Sequence, residues 1–132
     1  MGYRPKSSGC HDFVLYPLNE ILSCSTDPSI HEKAVSSAIS TWSRLNAIIL
    51  NAGTMDPMGR IASNDAKSTV DDWRFGFDVN FFSLLHTLKA AVPHLRESKG
   101  RAIFISSGAA AGGYAGWGAY SATKAAMNSL VR

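Results

Sequence analysis

The stretch "NAIILNAG", residues 46–53, is an apolar run too short for a stable helix, rich in β-branched side chains and closed by a small polar turn. Short apolar runs bounded by turn residues read as buried strands. A second run of this kind, "RAIFISS", stands at residues 101–107. Between the two, residues 70–96 carry Phe81, Leu84, Leu85, Leu88, Val92 and Leu95 at helical spacing. Ahead of the first run, Asp27 suits an N-cap and Pro28 a first helical turn. From there Ile30, Ala34, Val35, Ala38, Ile39, Trp42 and Leu45 form one apolar stripe. After the second run, a glycine- and alanine-rich loop leads into "YSATKAAMNSLVR", residues 120–132, a helix with small residues along one side. The order helix, strand, loop, helix, strand, loop, helix predicts parallel strands flanked by helices, an α/β fold.

Finer expectations follow from local chemistry. Residues 54–68 form a loop, with Pro57, Gly59, Asn64 and Asp65 as breakers. Gly76 and Pro93 are the positions where the long helix bends, and Gly100 is its terminator. A short strand is expected at residues 13–16, within an N-terminal segment broken by Pro17.

Composition excludes several function classes. With 45% hydrophobic and 17% charged residues, the 132-residue chain can bury the core of one domain. Its net charge of +3 and pI of about 9.0 come from scattered Lys and Arg, without the stripe that marks a nucleic-acid surface. Cys10 and Cys24 show no metal spacing, and His11, His31, His86 and His94 form no ligand pair. The histidines are expected at the surface or its boundary, and no metal is expected. No apolar segment approaches the ~20 residues of a membrane span, and no signal-peptide run is seen. A reduced cytoplasmic setting without a membrane partner is the expectation.

Chemistry concentrates in "YSATK", residues 120–124. Tyr120 and Lys124, four apart, share a helix face. An ammonium beside a phenol favours the phenolate, which suits proton exchange with a carbonyl or alcohol oxygen. An exposed surface pair would look the same. Ser107 lies thirteen positions before Tyr120 and Asn80 forty. Ser107 ends the strand leading to this helix and is within range to bond the same oxygen. Asn80 stands among apolar neighbours in "FDVNFFSLL". A buried amide must find partners: either backbone where the helix bends, or a water in a proton path. Asn51 and Gly53 end the first strand, where ligands of open α/β sheets bind; turn chemistry alone also accounts for them.

Together "ILNAG", "DVNFFS", "FISSGAA" and "GAYSATKAAMNSL", in this order and spacing, resemble the short-chain dehydrogenase/reductase family over residues 27–132. The wording "NFFS … WGAYSATKAAMN" is similar to the fungal sepiapterin-reductase-like and benzil-reductase-like members. The resemblance implies a Rossmann-like doubly wound parallel sheet and hydride transfer between NAD(P)H and a small-molecule carbonyl. NADP is the implied cofactor, with NAD also possible. By family role Tyr120 is the general acid/base, Ser107 orients the substrate oxygen, and Lys124 binds the nicotinamide ribose and favours the Tyr120 phenolate. Asn80 supports the proton relay through its main chain and a water. Asn51, Ala52 and Gly53 form the turn beside the cofactor. The helices at residues 81–95 and 120–132 are those used for homodimer packing.

The sequence also departs from the family. It holds no TGxxxGxG turn for the pyrophosphate, residues 1–26 match nothing in the pattern, and Cys24 stands where an adenine-contacting acid is usual. The expectation is an incomplete sheet, truncated at both ends, with exposed strand neighbours. The alternative reading is an inactive fragment serving as an interaction or dimerisation module.

Overall fold

The computed structural model describes residues 13–14, 21–22, 26–62 and 68–131. Two short strands, β1 (Phe13–Val14) and β2 (Ile21–Leu22), pair antiparallel. Helix α1 (Pro28–Trp42) begins where the Asp27 carboxylate accepts the Ser29 N–H at 2.9 Å, with Pro28 in the first turn. That backbone bond holds the Asp27 carboxyl below its ordinary range. Strand β3 (Ala47–Leu50) follows, then a loop to helix α2 (Val70–Phe77). Thr69 and Asp72 close a reciprocal capping box at the start of α2. A π-helical turn at Asp78–Phe82 joins α2 to α3 (Ser83–Ser98). Strand β4 (Arg101–Phe104), a short 3₁₀ turn at Gly108–Ala110 and helix α4 (Gly118–Leu130) complete the order.

β3 and β4 run parallel, with Ala47 beside Arg101 and Leu50 beside Phe104. The ladder extends one step further, since Ile105 N–H donates to Leu50 C=O at 3.0 Å. The α2–α3 crossover is what makes a parallel pair possible. Along each strand the side chains alternate between covered and open faces. Ile48, Leu50, Ala102 and Phe104 pack under α3, which contributes Leu84, Leu88, Ala91 and Leu95. α1 adds Val35 on one flank and α4 adds Met127 on the other. Ile49 and Ile103 point the other way and are 63% and 45% exposed. The strands, expected to be buried throughout, are covered on one face only by the described residues.

Other expectations need correction. The helical run breaks at Asp78–Phe82, while Gly76 and Pro93 sit inside α2 and α3. The wider π turn carries neighbouring residues inward, so Val79 and Asn80 are both buried. His31, expected near the surface, is buried between α1 and α3. Its Nδ1 lies 2.7 Å from Thr87 Oγ1, and its ring stacks on His86. Of the expected strand at residues 13–16, Phe13–Val14 is found as β1, and residues 15–16 lie outside the described residues; its partner β2 was not anticipated. Cys10, His11, Tyr16, Cys24, Asn64 and Asp65 lie outside the described residues.

Gly100 takes part in ending α3, since its N–H donates to Leu95 C=O at 2.7 Å. Lys99, not Gly100, takes the left-handed conformation, at φ 55°. A Cβ on Gly100 would stand 2.5 Å from Asn46 O and 2.8 Å from both Leu95 Cδ2 and Ser98 Oγ. The chain thus passes from α3 into β4 pressed against the start of β3. Gly100→Ala is expected to destabilise the chain by about 1–3 kcal/mol, the usual cost of overpacking, read as a lower urea midpoint with unchanged slope. An unchanged midpoint would contradict this close approach.

Candidate active site

The carboxyl ends of β3 and β4 lead into Asn51–Gly53 and residues 105–107, side by side in the parallel register. Helix α4 lies over them and delivers Lys124. This lysine is 4% exposed, and its Nζ donates to Ile105 C=O at 2.8 Å. Burial disfavours the charged ammonium and lowers its pKa from the ordinary 10.5. An ammonium carries three N–H donors, and the carbonyl engages one of them. A Cβ on Gly53 would stand 3.4 Å from Asn80 Oδ1 and 3.7 Å from Lys124 Nζ. Both are ordinary contact distances, so the turn lies directly against Asn80 and the lysine.

Asn80 anchors the same turn. Its Oδ1 accepts the Thr54 N–H at 2.6 Å, and its Nδ2 donates to Thr54 C=O at 2.8 Å and to Thr123 Oγ1 at 3.0 Å. The carboxamide is therefore committed to protein partners, which is the backbone-tied alternative read from the sequence. Thr54 and Thr123, both buried, escaped the sequence reading. Thr123 had a signal, since it lies beside Lys124 and one turn after Tyr120; Thr54 had only its place after "NAG".

Tyr120 is half-buried in the first turn of α4, with Lys124 Nζ 5.8 Å from its ring centroid. The pair is thus partly sequestered and not a surface pair. Trp117 meets the Tyr120 ring edge to face at 6.1 Å, and Tyr114 lies 5.0 Å from Trp117. The loop after β3 docks here, since Gly59 N–H donates to Gly116 C=O at 2.9 Å. Ser107 Oγ accepts the Ala109 N–H at 3.2 Å, which orients the side chain and leaves its own hydrogen to donate. Of the turn residues, Asn51 is exposed, whereas Ala52 packs into the Leu50–Leu84–Met127 cluster and helps to seat the turn.

The donor set fits a nicotinamide ribose. The Lys124 ammonium, the half-buried Tyr120 phenol and the Asn51–Gly53 turn meet at the strand ends. Among the described residues, no group of His, Cys, Asp and Glu is placed to hold a metal ion. No helix among them is long and apolar enough to cross a membrane.

Parallel strands joined by a helical crossover, with polar side chains gathered at their carboxyl ends, define a Rossmann-like α/β fold. Residues 22–132 match the profile of the short chain dehydrogenases, and the chain belongs to that family. An uncharacterized oxidoreductase of Schizosaccharomyces pombe is 42% identical over 102 residues, covering 77% of this chain and 40% of the relative. A benzil reductase ((S)-benzoin forming) of Saccharomyces cerevisiae is 36% identical over 108 residues, covering 80% and 41%. The crystal structure of a Saccharomyces cerevisiae short chain dehydrogenase/reductase superposes with a TM-score of 0.75 at 29% identity, covering 80% of this chain and 40% of that one. The chain spans about 40% of the length of these relatives.

Two outcomes check this geometry. Asn80→Ala leaves the Thr54 N–H and C=O without their side-chain partner and takes one of two partners from Thr123 Oγ1; it is expected to cost about 3 kcal/mol in urea unfolding. A loss below about 1 kcal/mol would remove the carboxamide from its anchoring role. Because burial lowers the Lys124 pKa, the folded chain binds fewer protons than the unfolded chain between the lowered value and 10.5. Stability contributed by this group therefore rises with pH across that window. In paired unfolding curves, wild type is expected to gain on Lys124→Met as the pH climbs from neutral towards 10.5; a flat difference would argue against a desolvated ammonium.

Proposed function

We propose that this chain carries the catalytic centre of an NAD(P)-dependent carbonyl reductase. The observation that carries the reading is the buried Lys124 ammonium, held by Ile105 C=O beside Gly53 and one helical turn from Tyr120. A bound nicotinamide would supply a hydride to the substrate carbonyl carbon. Lys124 and the Asn51–Gly53 turn would hold its ribose side. Tyr120 gives its phenolic proton to the carbonyl oxygen, so that C=O becomes CH–OH. Lys124 stabilises the resulting phenolate through its charge. Ser107 donates a hydrogen bond to the same oxygen and fixes its direction. NADPH is the preferred reductant of this reading, following the similarity to the benzil-reductase-like members.

The substrate class is an aryl ketone or diketone. Tyr114, Trp117 and Tyr120 form a continuous aromatic ladder ending at the proton donor, and the exposed apolar Met58 and Ile61 belong to the loop docked at Gly116. Such a surface favours a ring next to the reacting carbonyl. The relative named as a benzil reductase agrees with this class. A homodimer through the helices at residues 81–95 and 120–132, with Phe82 and Leu130 exposed on them, goes with the reading. So does a cytoplasmic setting, where two cysteines without paired spacing stay reduced.

The test is NADPH oxidation by the purified chain with a panel of aryl and alkyl ketones. Turnover is expected to fall at least a hundredfold in Tyr120→Phe, given the contribution of a positioned acid. Turnover no higher than that variant would leave the inactive-module reading in its place. Trp117→Leu is expected to lower kcat/KM for an aryl ketone about tenfold more than for an alkyl ketone, through loss of the ring contact. Equal losses would sink the aryl assignment alone.

A further inference from the structure

Thr123 is fully buried, three positions after Tyr120 and immediately before Lys124. Its hydroxyl is committed in both directions: it accepts from Asn80 Nδ2 at 3.0 Å and donates to Tyr120 C=O at 2.7 Å. Chemistry settles the sense of every bond in this chain of contacts. The Thr54 N–H can only donate, so the Asn80 atom facing it is Oδ1. The two hydrogens of Nδ2 then go to Thr54 C=O and Thr123 Oγ1. Thr123, having received one hydrogen, has its own left for Tyr120 C=O. Flipping the amide breaks its bonds to Thr54, and rotating the hydroxyl gives up Tyr120. A buried polar network satisfied in a single arrangement is rigid.

The two ends of this strut give it a use. Tyr120 sits in the first turn of α4, and that helix has no side-chain cap at Trp117. Uncapped first turns fray. The bond from Thr123 holds the Tyr120 carbonyl from inside the fold. At its other end, Thr54 follows directly on the Asn51–Gly53 turn.

We propose that Thr123 is a positioning residue for the reductase reaction. Its hydroxyl locks the uncapped first turn of α4, and with it Tyr120, to the Asn51–Gly53 turn. The phenol and the cofactor side of the site then keep a fixed separation. This rests on the reading of Tyr120 as the acid. Thr123 acts through Tyr120 and does not touch the reacting atoms.

Thr123→Val keeps the shape and removes the hydroxyl; Thr123→Ser keeps the hydroxyl. In the assay of the full chain with NADPH and an aryl ketone, Thr123→Val is expected to lower kcat about tenfold to a hundredfold, the effect of a misplaced acid. KM should stay within about twofold and the pH at half-maximal kcat should shift, since the loss lies in the proton-transfer step. Thr123→Ser should return kcat to within about threefold of wild type. A folded Thr123→Val enzyme with wild-type kcat and pH profile would overturn the proposal, even if its melting temperature fell. If wild type shows no turnover above Tyr120→Phe, it is the acid/base reading that has failed, and amide hydrogen exchange decides the strut. The amides of Ser121 to Lys124, which bond the carbonyls of the first turn of α4, should lose protection in Thr123→Val and keep it in Thr123→Ser; unchanged protection in Thr123→Val would overturn it.

Discussion

An ammonium withdrawn from water at the end of a two-stranded parallel ladder sets the terms for the rest of this site. Lys124 is buried, and its contact with Ile105 C=O is the compensation the fold provides. That carbonyl stands ready because β4 stays in register with β3 to its last residues, where Ile105 N–H meets Leu50 C=O. The turn after β3 comes in beside the same charge, with Gly53 next to Lys124 Nζ and Asn80 Oδ1. Buried charges held by a single partner are costly, and such sites persist mainly where chemistry uses them. The cost of holding Lys124 and its nearness to Tyr120 are two sides of one arrangement.

Around that charge the chain uses neutral polar groups instead of counter-charges. Among the described residues, no carboxylate is drawn in to pair with Lys124; the Ile105 carbonyl holds it, and the Asn80 amide and Thr123 hydroxyl tie together the elements around it. An acidic partner would compensate the ammonium more strongly and favour its charged form more firmly. It would also draw the lysine's field away from the phenol. Neutral dipoles leave more of that field directed at the Tyr120 ring, which suits the proposed role of its phenol as the acid.

How much of this could be read from residues follows from the range of each interaction. The start of α1 was legible because Asp27, Pro28 and Ser29 settle it among themselves. The two strands were legible from short β-branched runs, but not their open face, because exposure depends on what else covers the sheet. The π turn was invisible, since Phe81, Leu84 and Leu88 keep a spacing that suits an unbroken helix. Asn80 could be singled out as a polar residue in an apolar setting. Its partners could not, because Thr54 and Thr123 lie 26 and 43 positions away. Gly100 was legible at the end of α3, where its N–H meets Leu95 C=O, but its close approach to Asn46, just before β3, was not. His31 was misplaced because nothing local marks Thr87 as its partner.

The parallel register of β3 and β4 has a consequence for how the chain reaches its native state. Ala47 and Arg101 are paired across 54 positions of sequence. Closing a loop of that length costs about 3.5 kcal/mol of chain entropy before a single ladder bond is made. The ladder is short, so the apolar contacts of α3 with both strands must supply the early return. The native contacts able to offset that cost are those of Leu84, Ala91 and Leu95 on α3 with Ile48, Ala102 and Phe104 of the two strands, so the ladder that carries the site depends on the helix that spans it.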